Sequence, residues 1–147
     1  MRRQDRYPET QWFHYFNANP KGRITGDCTF RAIAVAMDKT WDWIVLDMAS
    51  AAIKHKYSPN DAKGIAEYLK MQGWTKHPQP RRDTGKKYTG KQFCEWLERN
   101  YKGDTPVIAN IGGHHIVCIR KWQGKWRIWD IWDSSDKCVG NFWMKHS

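Results

Sequence analysis

The sequence predicts an α+β domain, with helices first and antiparallel strands second along the chain. Apolar residues recur at helical spacing between Cys28 and Tyr101, and strand-like runs joined by glycine-containing turns follow Pro106. The chain has 147 residues, which is the usual size of one domain, and no internal repeat divides it. We therefore expect a single domain over residues 1–147, with an N-terminal arm over residues 1–25.

The arm leads into the most apolar helix of the chain. Residues 12–16 alternate in a way that predicts a short strand or a packing arm. The first helix is predicted from Cys28 to Met37, behind a good N-cap residue, Asp27. Its apolar residues cover nearly every face, which is typical of a helix buried in the middle of a domain. Arg31 is the exception, and we expect it to reach solvent or to pair with Asp27 or a more distant acid.

Three further helices are predicted before the strands. Thr40 caps the second helix, and Ser58-Pro59 predicts the start of the third, because proline is favoured in the first turn. Gly73 ends that helix. Thr89 and Gln92 form a capping box, which predicts the start of the fourth helix.

The segment from Lys76 to Lys91 is the most basic part of the chain and is predicted to be a loop. The formal net charge is +10, which suggests an acidic partner such as nucleic acid, although a solvated basic surface explains it equally well. We interpret the loop as a mobile rim or lid. Nucleic-acid contact is the alternative, which the single aromatic residue of the loop, Tyr88, makes weaker.

The last part of the chain predicts strands over residues 106–110, 115–122, 125–132 and 138–143. Gln123-Gly124 predicts a two-residue hairpin turn, and the resulting register sets Val117 opposite Asp130. His115 then shares a face of the sheet with Asp130, one diagonal step away, so the two side chains can meet.

The same register offers a second pair on the opposite face, which is His114 with Asp133. We favour His115 with Asp130, because Val117 and Ile119 then line the face that packs on the helices while His115 meets the edge of the sheet. The two pairs exclude each other, and a single bulge would change the assignment.

The four cysteines are widely separated, with neither a C-x-x-C motif nor a Cys/His cluster at metal spacing: Cys28, Cys94, Cys118 and Cys138. We therefore expect free thiols, no metal site and no cofactor. No stretch approaches the roughly 18 apolar residues of a membrane span, and no apolar run follows the basic N-terminus. We expect a soluble, cytoplasmic protein that does not contact a membrane.

Cys28 stands where a helix begins, so free backbone N–H groups and the helix dipole favour its thiolate. Taken alone, such a cysteine is more often a small buried residue. With His115 to form an ion pair and protonate a leaving group, and Asp130 to fix the imidazole tautomer, it completes the parts of a thiol hydrolase. The Cys28 N–H and a side-chain amide, from Asn17 or Asn19, would form the oxyanion hole.

The order of cysteine helix, further helices, histidine strand and aspartate strand resembles the papain-like cysteine peptidase superfamily in a small bacterial form, over Gly26 to about Asp133. The turn Gly26-Asp27-Cys28 and the ending from Trp132 to Trp143 also look like small phage and prophage proteins of Gram-positive bacteria. The resemblance implies a papain-like fold with a buried cysteine-bearing helix on a C-terminal antiparallel sheet. The chain departs from the family at the oxyanion glutamine, where Gly22 and its neighbours stand.

We therefore expect a papain-like thiol hydrolase that cleaves a peptide or isopeptide bond in a host or phage protein. If the chain is phage-encoded, it acts in the host cytoplasm. The alternative is a non-catalytic basic protein that binds nucleic acid or an acidic host factor, for which strong salt dependence of binding would be the sign.

Overall fold

Five helices and six strands are present in residues 1–145, the part of the chain that this computed structural model describes. The helices are α1 (Arg3–Arg6), α2 (Cys28–Met37), α3 (Trp41–His55), α4 (Ala62–Met71) and α5 (Gly90–Asn100). The strands are β1 (Phe13–Tyr15), β2 (Trp74–His77), β3 (Val107–Ile111), β4 (His115–Trp122), β5 (Lys125–Asp130) and β6 (Val139–Lys145). Among these residues, no helix is long and apolar enough to cross a membrane. The α+β class is confirmed.

All six strands belong to one sheet, in the order β1-β5-β4-β3-β6-β2. Four of the neighbouring pairs are antiparallel, but β1 runs parallel to β5, with Tyr15 beside Asp130. The C-terminal strands β3 to β6 are antiparallel, as predicted, and the sheet is mixed because the arm strand β1 joins it parallel to β5. A tight turn forces antiparallel pairing only between strands that follow each other, and the long connection from the arm to β5 allows either direction.

Helices cover both faces of the sheet. On one face, α2, α3 and α4 enclose a core that includes Ile116 and Cys118 of β4. On the other face, Phe93 and Leu97 of α5 pack with the alternate β4 residues, Val117 and Ile119. The predicted face of Val117 and Ile119 does pack on a helix, but that helix is α5, and the cysteine-bearing α2 lies on the opposite face.

The helix predicted from Cys28 to Met37 is α2. It has these bounds and is largely buried, as predicted. The predicted role of Asp27 is wrong in one respect. Asp27 occupies the N-cap position, but its side chain accepts no hydrogen bond from the first turn of α2. Its carboxylate instead accepts the Nε–H of Arg31 at 2.8 Å, which leaves the first-turn N–H groups without a carboxylate cap.

Two boundaries differ from the sequence prediction. The third helix is predicted to begin at Pro59, but the corresponding α4 begins at Ala62 and is capped by Asp61, whose side chain accepts the Gly64 N–H at 2.7 Å. Residues 74–77 form the edge strand β2, which pairs with β6, so the basic segment begins in a strand rather than in a loop. Four polar or aromatic residues carried too little alternation to predict that strand, because its pairing with β6 is a long-range interaction.

Gly64 is a sharp test of how α4 packs on the preceding segment. A Cβ atom added there would lie 1.9 Å from the backbone oxygen of Ser58. Alanine is favoured over glycine by about 1 kcal/mol within a helix, but the clash should outweigh this gain. We expect Gly64→Ala to lower the free energy of unfolding by about 1–3 kcal/mol in urea denaturation. Gly26→Ala, which meets nothing within 4 Å, is the control. Equal stability of both variants would contradict this packing.

Candidate active site

Cys28 is half-buried at the first residue of α2 and faces the beginning of β4. Its sulfur interacts with the imidazole of His115 and with the backbone N–H of Ile116. The strand thus supplies two donors to the same sulfur from consecutive residues. Hydrogen bonds of this kind stabilise a thiolate over a thiol.

His115 is held by a buried carboxylate. Its Nε2 lies 2.5 Å from Oδ2 of Asp130, whose side chain is only 2% exposed. The other oxygen, Oδ1, accepts a hydrogen bond from Arg31 Nη1 at 2.6 Å and one from the Ile131 N–H at 2.8 Å. Because Nε2 faces Asp130, Nδ1 is the ring nitrogen left for Cys28. The structure therefore brings together the three predicted residues.

The hairpin explains this meeting. The turn at Gln123-Gly124 has positive φ at both residues, and the strands then pair in the predicted register as far as Cys118 opposite Trp129. Strand β5 ends one residue later, at Asp130. The first turn of α2 contacts both strands there: Cys28 contacts β4, and Arg31 contacts β5. The register is confirmed as far as Cys118 opposite Trp129, and the contact of His115 with Asp130 that its continuation predicts is present.

The pKa of Cys28 is lowered from its usual value by its partners. Burial of the thiol acts in the opposite direction, but the hydrogen bonds from His115 and Ile116, with the positive charges of His115 and Arg31, outweigh it. Burial likewise disfavours the charged imidazole, yet its bonds with Asp130 and Cys28 raise the pKa of His115 to about 9. Both shifts favour a thiolate–imidazolium pair at neutral pH.

The other cysteines lack such a setting. Cys94 and Cys118 are fully buried in the core, and burial raises the pKa of both thiols well above the usual range. Cys138 is exposed. Cys28 is thus the cysteine whose surroundings suit a nucleophile.

The second predicted pair is not assembled. His114 is exposed in the turn before β4, and Oδ1 of Asp133 accepts the backbone N–H of Ser135 at 2.9 Å. This pair therefore lies away from the arrangement around Cys28.

Both amides predicted for the oxyanion hole have other acceptors. Nδ2 of Asn17 donates to the Arg23 carbonyl at 3.2 Å, and Nδ2 of the buried Asn19 lies 3.4 Å from Asp27 Oδ2. Asn19 therefore contacts the N-cap residue of α2, Asp27. The assignment of either amide to an oxyanion hole stays a prediction.

Two tryptophans that the sequence analysis did not assign to the site contact it. The ring of Trp132 packs against His115, with centroids 5.0 Å apart, and so shields the imidazole. The indole Nε1 of Trp41 donates to Asp27 Oδ2 at 3.0 Å, while its ring lines a groove of about 750 Å³ that continues along α2. The sequence does not mark these two tryptophans as site residues, because an aromatic residue that only packs in the core would occur in the same apolar spacing.

The basic segment folds back on the domain in part. Lys91 lies over the ring of Trp12 at 4.3 Å, and Lys76 over Trp143 at 5.7 Å. The backbones of Arg81 and Lys87 form an isolated antiparallel β-bridge, which closes the turn between them. Two lysines of the basic segment are therefore engaged in cation–π contacts within the protein itself.

Comparisons with protein-family models, with curated proteins and with solved structures found no match to this chain. Within residues 1–145, no cluster of three or more histidine, cysteine or acidic side chains is arranged to hold a metal ion. The chemistry of the site therefore has to be argued from its own side chains.

The raised pKa of His115 predicts a pH-dependent stability. The folded protein holds the His115 proton more tightly than the unfolded chain, whose ordinary pKa is 6.5. The resulting stabilisation is complete below about pH 6.5 and is lost as the pH rises toward about 9. In Cys28→Ser the contribution of the thiol to the pKa of His115 is removed while Asp130 remains as the partner, so we expect the same direction of pH dependence over a narrower range.

The measurement is urea denaturation of Cys28→Ser and of Cys28→Ser/His115→Gln at several values between pH 6 and pH 9. Other titrating groups cancel in the difference between the two proteins, which should shrink as the pH rises. A difference that stays constant over this range would show that Asp130 does not hold the His115 proton.

Proposed function

We propose that this protein is a papain-like thiol hydrolase that cleaves a peptide or isopeptide bond. The observation that carries the proposal is the contact of Cys28, at the start of a buried helix, with an imidazole that a buried carboxylate orients, His115 with Asp130. The helix lies against the histidine strand, and the aspartate strand is its hairpin partner. This order of elements supports the papain-like fold, and the substrate, a protein of phage or host, is proposed by analogy with that fold alone.

The reaction begins at the Cys28 sulfur. The thiolate attacks the carbonyl carbon, and the resulting oxyanion is placed near the backbone N–H groups that begin α2. The proton on Nδ1 of His115 passes to the leaving nitrogen, the C–N bond breaks, and an amine departs from a thioester. Asp130 keeps Nε2 protonated throughout and so holds the ring with Nδ1 toward the sulfur.

Hydrolysis of the thioester restores the site. Neutral His115 accepts a proton from an attacking water through Nδ1, the C–S bond breaks, and the acid product leaves while the thiolate–imidazolium pair forms again. Trp132, packed on the imidazole, limits the access of bulk water to the pair. Each step uses a residue that the structure brings into contact with the next.

The proposal predicts selective alkylation of Cys28 at low pH. In a Cys138→Ser background, which removes the exposed competing thiol, Cys28 should react with iodoacetamide well below pH 8, because its thiolate is stabilised. His115→Ala should slow the reaction at pH 7 about tenfold or more, since the thiol loses its main hydrogen-bond partner. Mass spectrometry of the modified peptide gives the rate for each cysteine.

Two matched variants sharpen this test. His114→Ala removes the neighbouring histidine and Asp133→Asn removes the other aspartate, and both should leave the Cys28 rate near that of the parent protein. Sluggish labelling of Cys28 in the parent, unchanged by His115→Ala, would refute the hydrolase. The non-catalytic binding protein would then be the better proposal, and salt-sensitive binding to nucleic acid would be measured instead.

A further inference from the structure

Arg31 joins two buried carboxylates beside the site. Its Nε donates to Asp27 Oδ1 at 2.8 Å, and its Nη1 donates to Asp130 Oδ1 at 2.6 Å. All three side chains are almost fully buried. The sequence predicts one acid for this arginine, Asp27 or a distant one, and the structure gives it both.

We propose that Arg31, anchored by Asp27, is a positioning residue that holds Asp130 against His115 and thereby sets the pH at which Cys28 becomes a thiolate. The inference rests on the proposed function for the role of the site. It adds a residue that touches neither the sulfur nor a substrate carbonyl in that mechanism and acts through Asp130.

Geometry is the first argument. Arg31 follows Cys28 by three residues on α2, so the helix fixes the distance between the nucleophile and the guanidinium. The guanidinium is planar, and its Nε and Nη1 point in fixed directions to Asp27 and Asp130. The position of the cysteine helix is thereby transmitted to Asp130, which orients His115. A lysine carries the same charge but could not hold both carboxylates in one plane.

Asp27 does not cap the helix that it precedes. An aspartate at an N-cap usually accepts an N–H of the first helical turn, a bond that stabilises the helix. Here Oδ1 accepts from Arg31, and Oδ2 accepts from Trp41 Nε1 at 3.0 Å, with Asn19 Nδ2 at 3.4 Å. Asp27 is therefore itself fixed by neighbours and serves as an anchor for Arg31.

Charge is the third argument. The charged groups around the sulfur are two carboxylates, one guanidinium and the His115 imidazolium, which together are neutral: Asp27, Asp130, Arg31 and His115. The thiolate then adds one negative charge. Without Arg31 the same site would already carry an excess negative charge before the thiolate forms, and like charges in a buried site oppose ionisation.

The test compares Arg31→Met and Arg31→Lys with the parent protein in the Cys138→Ser background. The readout is the midpoint pH of Cys28 alkylation, measured only on variants that unfold cooperatively in urea. We expect Arg31→Met to raise the midpoint by about one pH unit, and Arg31→Lys to raise it less, because the ammonium keeps the charge but not the two-sided contact. Loss of a merely structural contact would lower stability and leave the midpoint of the folded protein unchanged.

Arg120→Met is the matched control. Arg120 also donates to an aspartate, Asp38, at 2.7 Å, but it does so at the opposite end of α2. Its removal breaks an arginine–aspartate pair without touching the site, so the midpoint should stay at the parent value. A parallel shift in this control would show that any loss of an arginine moves the midpoint, and would overturn the inference.

A folded Arg31→Met protein with the parent midpoint would also overturn it. If that variant does not fold, Arg31→Lys decides, and a parent midpoint there has the same meaning. Failure of the proposed function looks different, because the parent protein itself would then lack low-pH reactivity at Cys28. The two failures are thus separated by the parent measurement, before any arginine variant is compared.

Discussion

A buried chain of alternating charges, Asp27–Arg31–Asp130–His115, joins the start of α2 to the strands β4 and β5. Charged groups lose their hydration when buried, and the loss is tolerable only when every charge has close partners. Asp130 meets this condition with three donors, from Arg31, His115 and the Ile131 backbone. Loss of one member would leave a buried charge uncompensated, at a cost of about 3–5 kcal/mol. The helix and the hairpin therefore have little freedom to move apart.

A second arginine ties the other end of the same helix. Nη1 of Arg120 on β4 donates to the Val35 carbonyl at 2.8 Å and to Asp38 at 2.7 Å, where α2 ends. Because α2 runs alongside β4, with Cys28 near His115 and Asp38 near Arg120, contacts at both ends define how far the helix can slide along the strand. The contacts of Cys28 and Arg31 hold the end of α2 that lies at the site, whereas the contacts of Arg120 hold the end that lies away from it.

Local chemistry explains which parts were predictable from sequence. The bounds of α2, the capping box at Thr89 and the register across Gln123-Gly124 all depend on neighbours in the chain, and the structure confirms them. The parallel β1, the edge strand β2 and the contact of Arg31 with Asp130 depend on residues far apart in sequence. Of the site, the positions of His115 and Asp130 followed from the hairpin, and the pair of Arg31 with Asp27 was among the expected ones. The contacts of Trp132 with His115 and of Trp41 with Asp27 had no local signal.

Two of the three hydrogen bonds on Asp130 come from side chains, those of Arg31 and His115. Burial disfavours the charged imidazole, but the carboxylate raises the pKa of His115 and so favours the imidazolium at neutral pH. Arg31 donates to Oδ1 of the same carboxylate, while Nε2 of His115 bonds with Oδ2. The bond from Arg31 fixes the carboxylate that orients His115, and the positive charge of Arg31 also favours the thiolate of Cys28. One guanidinium thus acts on both members of the Cys28–His115 pair, on one through Asp130 and on the other through its charge.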